Sequence, residues 1–285
     1  MRRRLWLLPL LSAALASGAA AQACEHGMAP APPPGPFAPA AALAAGWGAD
    51  GALALSDGRS LVLLGLALPT ALDPQPGLLA RSRAAAEMVL DGRLLVPAVR
   101  SADRHGRLAG DAVLLPEPGS PADGGSPSLA LALLAAGAGY ADPGAAPACA
   151  AALLAAEAQA RQKRRGIFSD PDTVAPAHDH DRLGRRAGLF TLVEGRVRAA
   201  GATREKVFLN FGSRWREDFT IVLPAGDFAT ILGDGLVAAM LRGTLVSVRG
   251  VVRMDGGPAI FVRSRHEILI LEGPATAESK EDTAR

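Results

Sequence analysis

Between residues 189 and 271 the chain alternates short apolar runs with polar turns, and one longer run breaks the rhythm. Residues 189–198, 206–211 and 218–223 read as three strands, 226–241 as a helix, and 245–254 and 259–271 as two further strands. Three strands, one helix and two strands constrain the chain strongly. That order is the one expected of a small five-stranded barrel.

The first half of the chain carries a comparable pattern. Strands are expected at 52–55 and 60–66, joined by the turn Ser56-Asp57-Gly58-Arg59. A helix is expected at 78–90, then strands at 94–100 and 108–115 around the polar stretch 103–107. Residues 116–127 form a Pro/Gly/Ser loop, and 128–138 and 149–164 read as helices, the second ended by Gly166 as a C-cap. Two units follow, over 47–171 and 188–272, with 172–187 as a linker inside a Pro-, Asp- and His-rich stretch and 273–285 as a charged, disordered tail. Aromatic residues are only 4% of the chain, so the cores must be built from Leu, Val, Ala and Ile. The net charge of +2 draws no polyanion to the molecule as a whole, and nucleic-acid binding would need a local basic face.

The N-terminus reads as an export signal over 1–23. Arg2, Arg3 and Arg4 precede an apolar run, and Ala19-Ala20-Ala21 and Ala21-Gln22-Ala23 offer small-x-small cleavage sites. The run is too short for a comfortable membrane span. The expected location is the periplasm or the exterior, with no transmembrane span in the mature chain. Residues 24–46 are a Pro/Ala-rich segment. Cys24 and Cys149 are the two cysteines. In an oxidising compartment they can pair, whereas lipidation of Cys24 would leave Cys149 free. Their number and spacing give no zinc site.

Residues from about 50 to 171 resemble the thermonuclease (staphylococcal nuclease-like) family. Residues 57–70, DGRSLVLLGLALPT, are similar to DGxxVRLxGIDAPE; residues 103–107, DRHGR, to DRYGR; and Glu157-Ala158-Gln159-Ala160 through Gly166-Ile167-Phe168-Ser169-Asp170 to the end of the family's last helix. The resemblance implies a five-stranded OB-type barrel with helices packed on it. With the strand order of the second half, the expected fold class is α+β and rich in β-barrel: two OB-type barrels in tandem.

The same resemblance implies a calcium site made of carboxylates, a glutamate base and two arginines on the phosphate. A hard cation needs anionic oxygens, water needs a base, and a pentavalent phosphate needs donors. Here Val62 stands at the first arginine position, Ala67 at a carboxylate and Thr70 at the glutamate. Upstream, Asp50-Gly51 is kept but the next carboxylate is Ala52. Of the catalytic residues only Arg107 persists. The expectation is an impaired enzyme without a cofactor, with an active calcium-dependent phosphodiesterase using other acids, such as Asp57 and Asp103, as the alternative. His178-Asp179-His180-Asp181 reads as a solvated stretch rather than a metal grip.

The second unit resembles the OB-fold domain that follows thermonuclease-like domains in some exported bacterial proteins, through 193–197, 208–212, 218–222, 248–250 and 257–260. OB-folds that hold single strands combine a basic groove with aromatic platforms. The candidates are Arg196, Arg198, Lys206, Phe208, Arg214, Trp215, Arg216, Arg253, Phe261 and Arg263, with Phe219 assigned to the core. The expected partner is single-stranded nucleic acid, another anionic polymer or an envelope protein. A purely structural envelope role is the remaining alternative.

Overall fold

The computed structural model describes residues 24, 40–48, 51–115, 128–214 and 216–273. The expected export signal, most of the Pro/Ala-rich segment, Asp50, the 116–127 loop, Trp215 and the tail from residue 274 lie outside the described residues.

Among the described residues the fold is mixed, with sixteen strands in four sheets and five α-helices. The first unit contains β1 (Ala42–Trp47), β2 (Leu53–Leu55), β3 (Ser60–Leu63), β4 (Leu66–Ala67), α1 (Leu78–Leu90), β5 (Leu94–Ala102), β6 (Leu108–Leu114), α2 (Leu129–Ala136), β7 (Tyr140–Ala141) and α3 (Ala150–Gln162). Strands β1-β2-β3-β6-β5 form a closed ring in which β3 and β6 run parallel. Alternation along β3 and β6 points Leu61, Leu63, Ala112 and Leu114 inward, where they meet Leu53, Leu55 and Leu95. Strand β1 falls within the segment expected to be Pro/Ala-rich and irregular. It pairs with both β2 and β5, because Ala42 can bury inside the ring while its neighbours face outward.

The turn between β2 and β3 has the anticipated form. Leu55 N–H donates to Arg59 O, and Gly58 takes φ +85°, which few side-chain-bearing residues adopt. Helix α2 starts at Ser128, whose hydroxyl accepts from Leu131 N–H, and stops at Gly137. Helix α3 does not end on Gly166. It ends at Gln162, Arg164 takes the left-handed turn at φ +50°, and Arg165 N–H reaches back to Ala160 O. Gly166 serves a different purpose: it crosses Gly137 at backbone contact, and Ile167 N–H donates to Gly137 O.

Residues 172–187 do not behave as a linker. They carry β8 (Ala175–Pro176) and α4 (His180–Arg185); β8 pairs in parallel with β9 (Phe190–Arg196), and Thr173, Ala175, Ala177 and Leu183 are buried. The Pro- and Asp-rich composition suggested a solvated connection. Instead Asp179 caps α4, accepting from Arg182 N–H at 3.0 Å, and the small apolar residues between the polar ones pack inward.

The second unit continues with β10 (Ala199–Ala202), β11 (Lys206–Asn210), β12 (Thr220–Pro224), α5 (Phe228–Leu232), β13 (Leu245–Val251), β14 (Arg253–Asp255), β15 (Gly257–Phe261) and β16 (Ile268–Glu272). One sheet runs β10-β11-β12-β15-β14 and another β16-β13-β9-β8. The edge strands β10 and β14 of the first follow β9 and β13 almost directly in sequence, and β9 pairs with β13. Strands β12 and β15 are parallel, as β3 and β6 are in the first unit. The helix expected over 226–241 is broken because Gly233 and Gly235 take φ +109° and +82°. What remains is a 3-10 turn, Ala225–Asp227, running into α5, and a second 3-10 turn, Ala238–Leu241. Leu209, Ile221, Leu223, Val246, Val248 and Ile260 form the core, and Phe219 packs inside it at a tilt against Phe211, ring centroids 5.3 Å apart.

The two units share a seam. Leu78, Tyr140, Ala160, Ile167 and Phe168 pack with Leu192 of β9. The Tyr140 ring lies 6.1 Å from Phe168 and 6.2 Å from Phe190, and its hydroxyl donates to Thr173 O. Burial pushes the Tyr140 hydroxyl pKa well up, so the group stays protonated as that donor. Among the described residues, no helix is long and apolar enough to cross a membrane.

Candidate nucleic-acid interface

Strand β11 alternates Lys206, Phe208 and Asn210 outward with Val207 and Leu209 inward. The register places Phe208 opposite Val222 and Val222 opposite Phe261, so the two phenylalanines stand two strands apart on one face. Both are partly exposed, while Val222 between them is buried. In the next row Thr220 Oγ1 donates to Asn210 Oδ1 at 3.0 Å, with Ala259 and Arg253 continuing the line. Gly201 and Ala202 leave the β10 side low. The result is an open groove of about 430 Å³ that runs over Phe208, Asn210, Thr220 and Ala259 to Thr203 and Asp255, with Phe261 and Arg253 beside it rather than in its lining.

Two cations converge on Phe261. Lys206 Nζ lies 5.8 Å and Arg253 Cζ 5.5 Å from the ring centroid. Exposed cation–π interactions of this kind contribute about 0.5–1 kcal/mol. Neither cation has a carboxylate partner among the described residues.

The other basic residues named from the sequence are dispersed. Arg196 is exposed on β9, outside the groove sheet, where it pairs with Glu272 and donates to Gly243 O. Arg198 is exposed at the edge beside Asn210, to whose carbonyl its N–H donates. Arg214 is exposed and pairs with Glu217 at 3.0 Å, and that bond holds its guanidinium pKa above the ordinary value. Arg216 lines a separate groove with His180 and Met254. Arg263 is exposed just past the end of β15. Of the set, Lys206, Phe208, Arg253 and Phe261 share one face. Alternation along the strand already puts Asn210 on the face of Lys206 and Phe208, though not as a binding residue; Thr220 was missed, and its outward alternation with buried residues was the available signal.

In the first unit the positions singled out for phosphodiester chemistry sit on different elements. Val62 points outward from β3 opposite Ala109 of β6, and Arg107 sits in the turn just before β6. Arg107 Nε donates to Asp103 Oδ2 at 2.7 Å, and Asp103 also accepts from the His105 and Arg107 N–H groups. The Arg107 side-chain bond holds the Asp103 carboxyl below the usual range, and Arg59 does the same for Asp57 across the neighbouring turn. Ala67 pairs with Tyr140 and packs against the seam, and Thr70 Oγ1 accepts from Leu72 N–H within its own turn.

A nearby acid not foreseen is Asp111, on the outer side of β6. Burial pushes its carboxyl up, against the bonds it accepts from Ser128, Ala130 and Ala112. It is committed to capping α2. Among the described residues no group of three or more His, Cys, Asp or Glu side chains is arranged to hold a metal ion. His180 lies 3.7 Å from Asp181 and 3.8 Å from Asp218, while Asp179 is occupied by its helix cap.

Cys24 and Cys149 are joined in a disulfide with Cα atoms 5.5 Å apart.

No protein-family profile matches the chain, and no curated protein matches it. Among solved structures, it is similar to a chain described as OBody AM1L10 bound to hen egg-white lysozyme, at 21% identity and a TM-score of 0.23, over 31% of this chain and 84% of that one.

Proposed function

We propose that this chain is an exported, non-cleaving thermonuclease-like protein, built of two tandem OB-type barrels, that holds single-stranded nucleic acid on the outer face of β11, β12, β15 and β14. One observation carries the reading: Phe208 and Phe261 are partly exposed on that face, with Lys206 and Arg253 beside them and without carboxylate partners among the described residues. Aromatic rings accept bases of any sequence and cations follow the phosphates, which is the chemistry of sequence-tolerant single-strand binding.

The barrel reading is supported by the matching strand order of the two five-stranded sheets, in each of which the third and fifth strands along the chain run parallel. The absence of cleavage is supported by the occupants of the first unit. Val62, Ala67 and Thr70 can neither ligate a hard cation as carboxylates do nor deprotonate water near neutrality, and Asp57 and Asp103 are tied to Arg59 and Arg107. The Cys24–Cys149 bond supports an oxidising location, periplasmic or secreted. Asp255 at the groove and the near-neutral net charge limit the electrostatic pull, so binding should be modest and weaken steeply with salt.

The test is fluorescence anisotropy of a labelled oligothymidylate with the mature protein and with Phe208→Ala. Saturable binding that weakens about 5- to 100-fold in the variant is expected from the loss of one stacked base. Equal binding by both proteins, or none by either, would refute the assignment.

A further inference from the structure

Phe208 and Phe261 occupy equivalent rows of the same face, yet their surroundings differ. Phe208 stands beside the low β10 edge formed by Gly201, while Phe261 has a cation on either side of its strand. Lys206 reaches it from β11 across β12, and Arg253 from the neighbouring strand β14. A ring approached by two cations at 5.5 and 5.8 Å has its electron-rich surface already engaged. It is a poor platform for a further base. It is a good anchor for two side chains that would otherwise sample many rotamers in solvent.

We infer that Phe261 is a positioning residue: it fixes Lys206 and Arg253 as a pair of phosphate-binding cations, leaving Phe208 as the base-stacking ring. This division of labour rests on the proposed single-strand site. It sharpens the ligand to a strand that contributes one stacked base over Phe208 and adjoining phosphates toward β15. Backbone charge and base are then read by different residues, so the two can be separated experimentally.

Two readouts separate them, one of which needs no ligand. In the free protein, NMR of the Lys206 ε-protons and Arg253 δ-protons should show upfield ring-current shifts. These should vanish in Phe261→Leu, persist in Phe208→Leu and persist in Phe261→Tyr, which keeps the ring. With oligothymidylate and an abasic strand of equal length, Phe261→Leu should weaken both by about 2- to 5-fold per released cation. It should also flatten the salt dependence by about 0.7 log units per log unit of salt for each phosphate that is no longer neutralised. Phe208→Leu should leave the salt slope unchanged and erase the preference for the base-bearing strand.

Absence of the ring-current shifts in the native protein would overturn the inference. So would a Phe261→Leu variant that keeps its salt slope and loses only the preference for bases. If neither strand binds, the proposed function falls, while the shifts alone still decide whether Phe261 orients the two cations.

Discussion

Glu157 of α3 and Arg249 of β13 form an ion pair between the two units at 2.7 Å, with side chains only 2% and 3% exposed. The pair brackets one residue of β7: Glu157 Oε1 accepts from Ala141 N–H, and Arg249 Nη1 donates both to Glu157 Oε2 and to Ala141 O. A second buried pair, Asp73 with Arg186 at 2.7 Å, lies at the same junction, where Arg186 also donates to Thr191 Oγ1 and Phe190 O. The units are therefore joined by groups that cannot be separated without exposing an unpaired charge. A buried pair of this kind specifies a geometry more than it adds stability, since desolvation offsets much of the attraction.

Breaking that pair on one side should be costly. Arg249→Met leaves the Glu157 carboxylate buried without its cation and should destabilise the protein by about 3–5 kcal/mol, whereas Glu157→Leu combined with Arg249→Met should recover part of the loss, the rest being the Ala141 N–H left unpaired. Urea unfolding of both variants measures the difference. A double variant no more stable than Arg249→Met would show that the pair contributes by direct attraction.

Asp103 should titrate below its ordinary value of 3.8, because Arg107 donates to its ionised form. Its folded pKa is depressed, so its stabilising contribution is present above the unfolded pKa and is lost as pH falls through the folded value. Carbon-detected NMR titration should place the Asp103 carboxyl below 3.8 in the native protein. In Arg107→Ala it should return toward that value.

The disulfide joins positions 125 residues apart, and its loss should destabilise the folded chain by about 4–5 kcal/mol on the chain-entropy account. Thermal unfolding with and without a thiol reductant checks this. Cys149→Ser should match the reduced protein, and the reductant should then have no further effect.

Gly137 sits at φ +76°, where an added Cβ would collide with the Arg165 carbonyl and the Gly166 backbone. Gly137→Ala should cost more than the roughly 1 kcal/mol of an ordinary helix-end glycine change, because neither neighbour is a flexible side chain. Gly184→Ala, with open space around its Cβ position, is the control in the same denaturation series.

The readability of the sequence followed the strength of local signals. Strand alternation fixed the faces of Lys206, Phe208 and Asn210, and the Asp57-Gly58-Arg59 turn and helix α1 were also legible, whereas the sequence left Cys24 open between a disulfide and a lipid. Tertiary burial was hidden wherever composition pointed the other way. The small apolar residues of 172–187 look like linker until β9 and Tyr140 are placed beside them, and β1 is too alanine-rich to stand out from its Pro/Ala neighbours. The bound states of charges were hidden as well. Nothing local shows that Arg196 is matched by Glu272, 76 residues away, or that Arg249 is buried against Glu157 across a 92-residue separation.

The most direct test of the central claim incubates the mature protein with an end-labelled single strand in calcium, then resolves the products on native and denaturing gels. The account predicts a shifted band in the native gel and a full-length strand in the denaturing gel, with the shift reduced in Phe208→Ala. Calcium-dependent shortening of the strand, abolished by Arg107→Ala, would contradict it and return the first unit to the working phosphodiesterases.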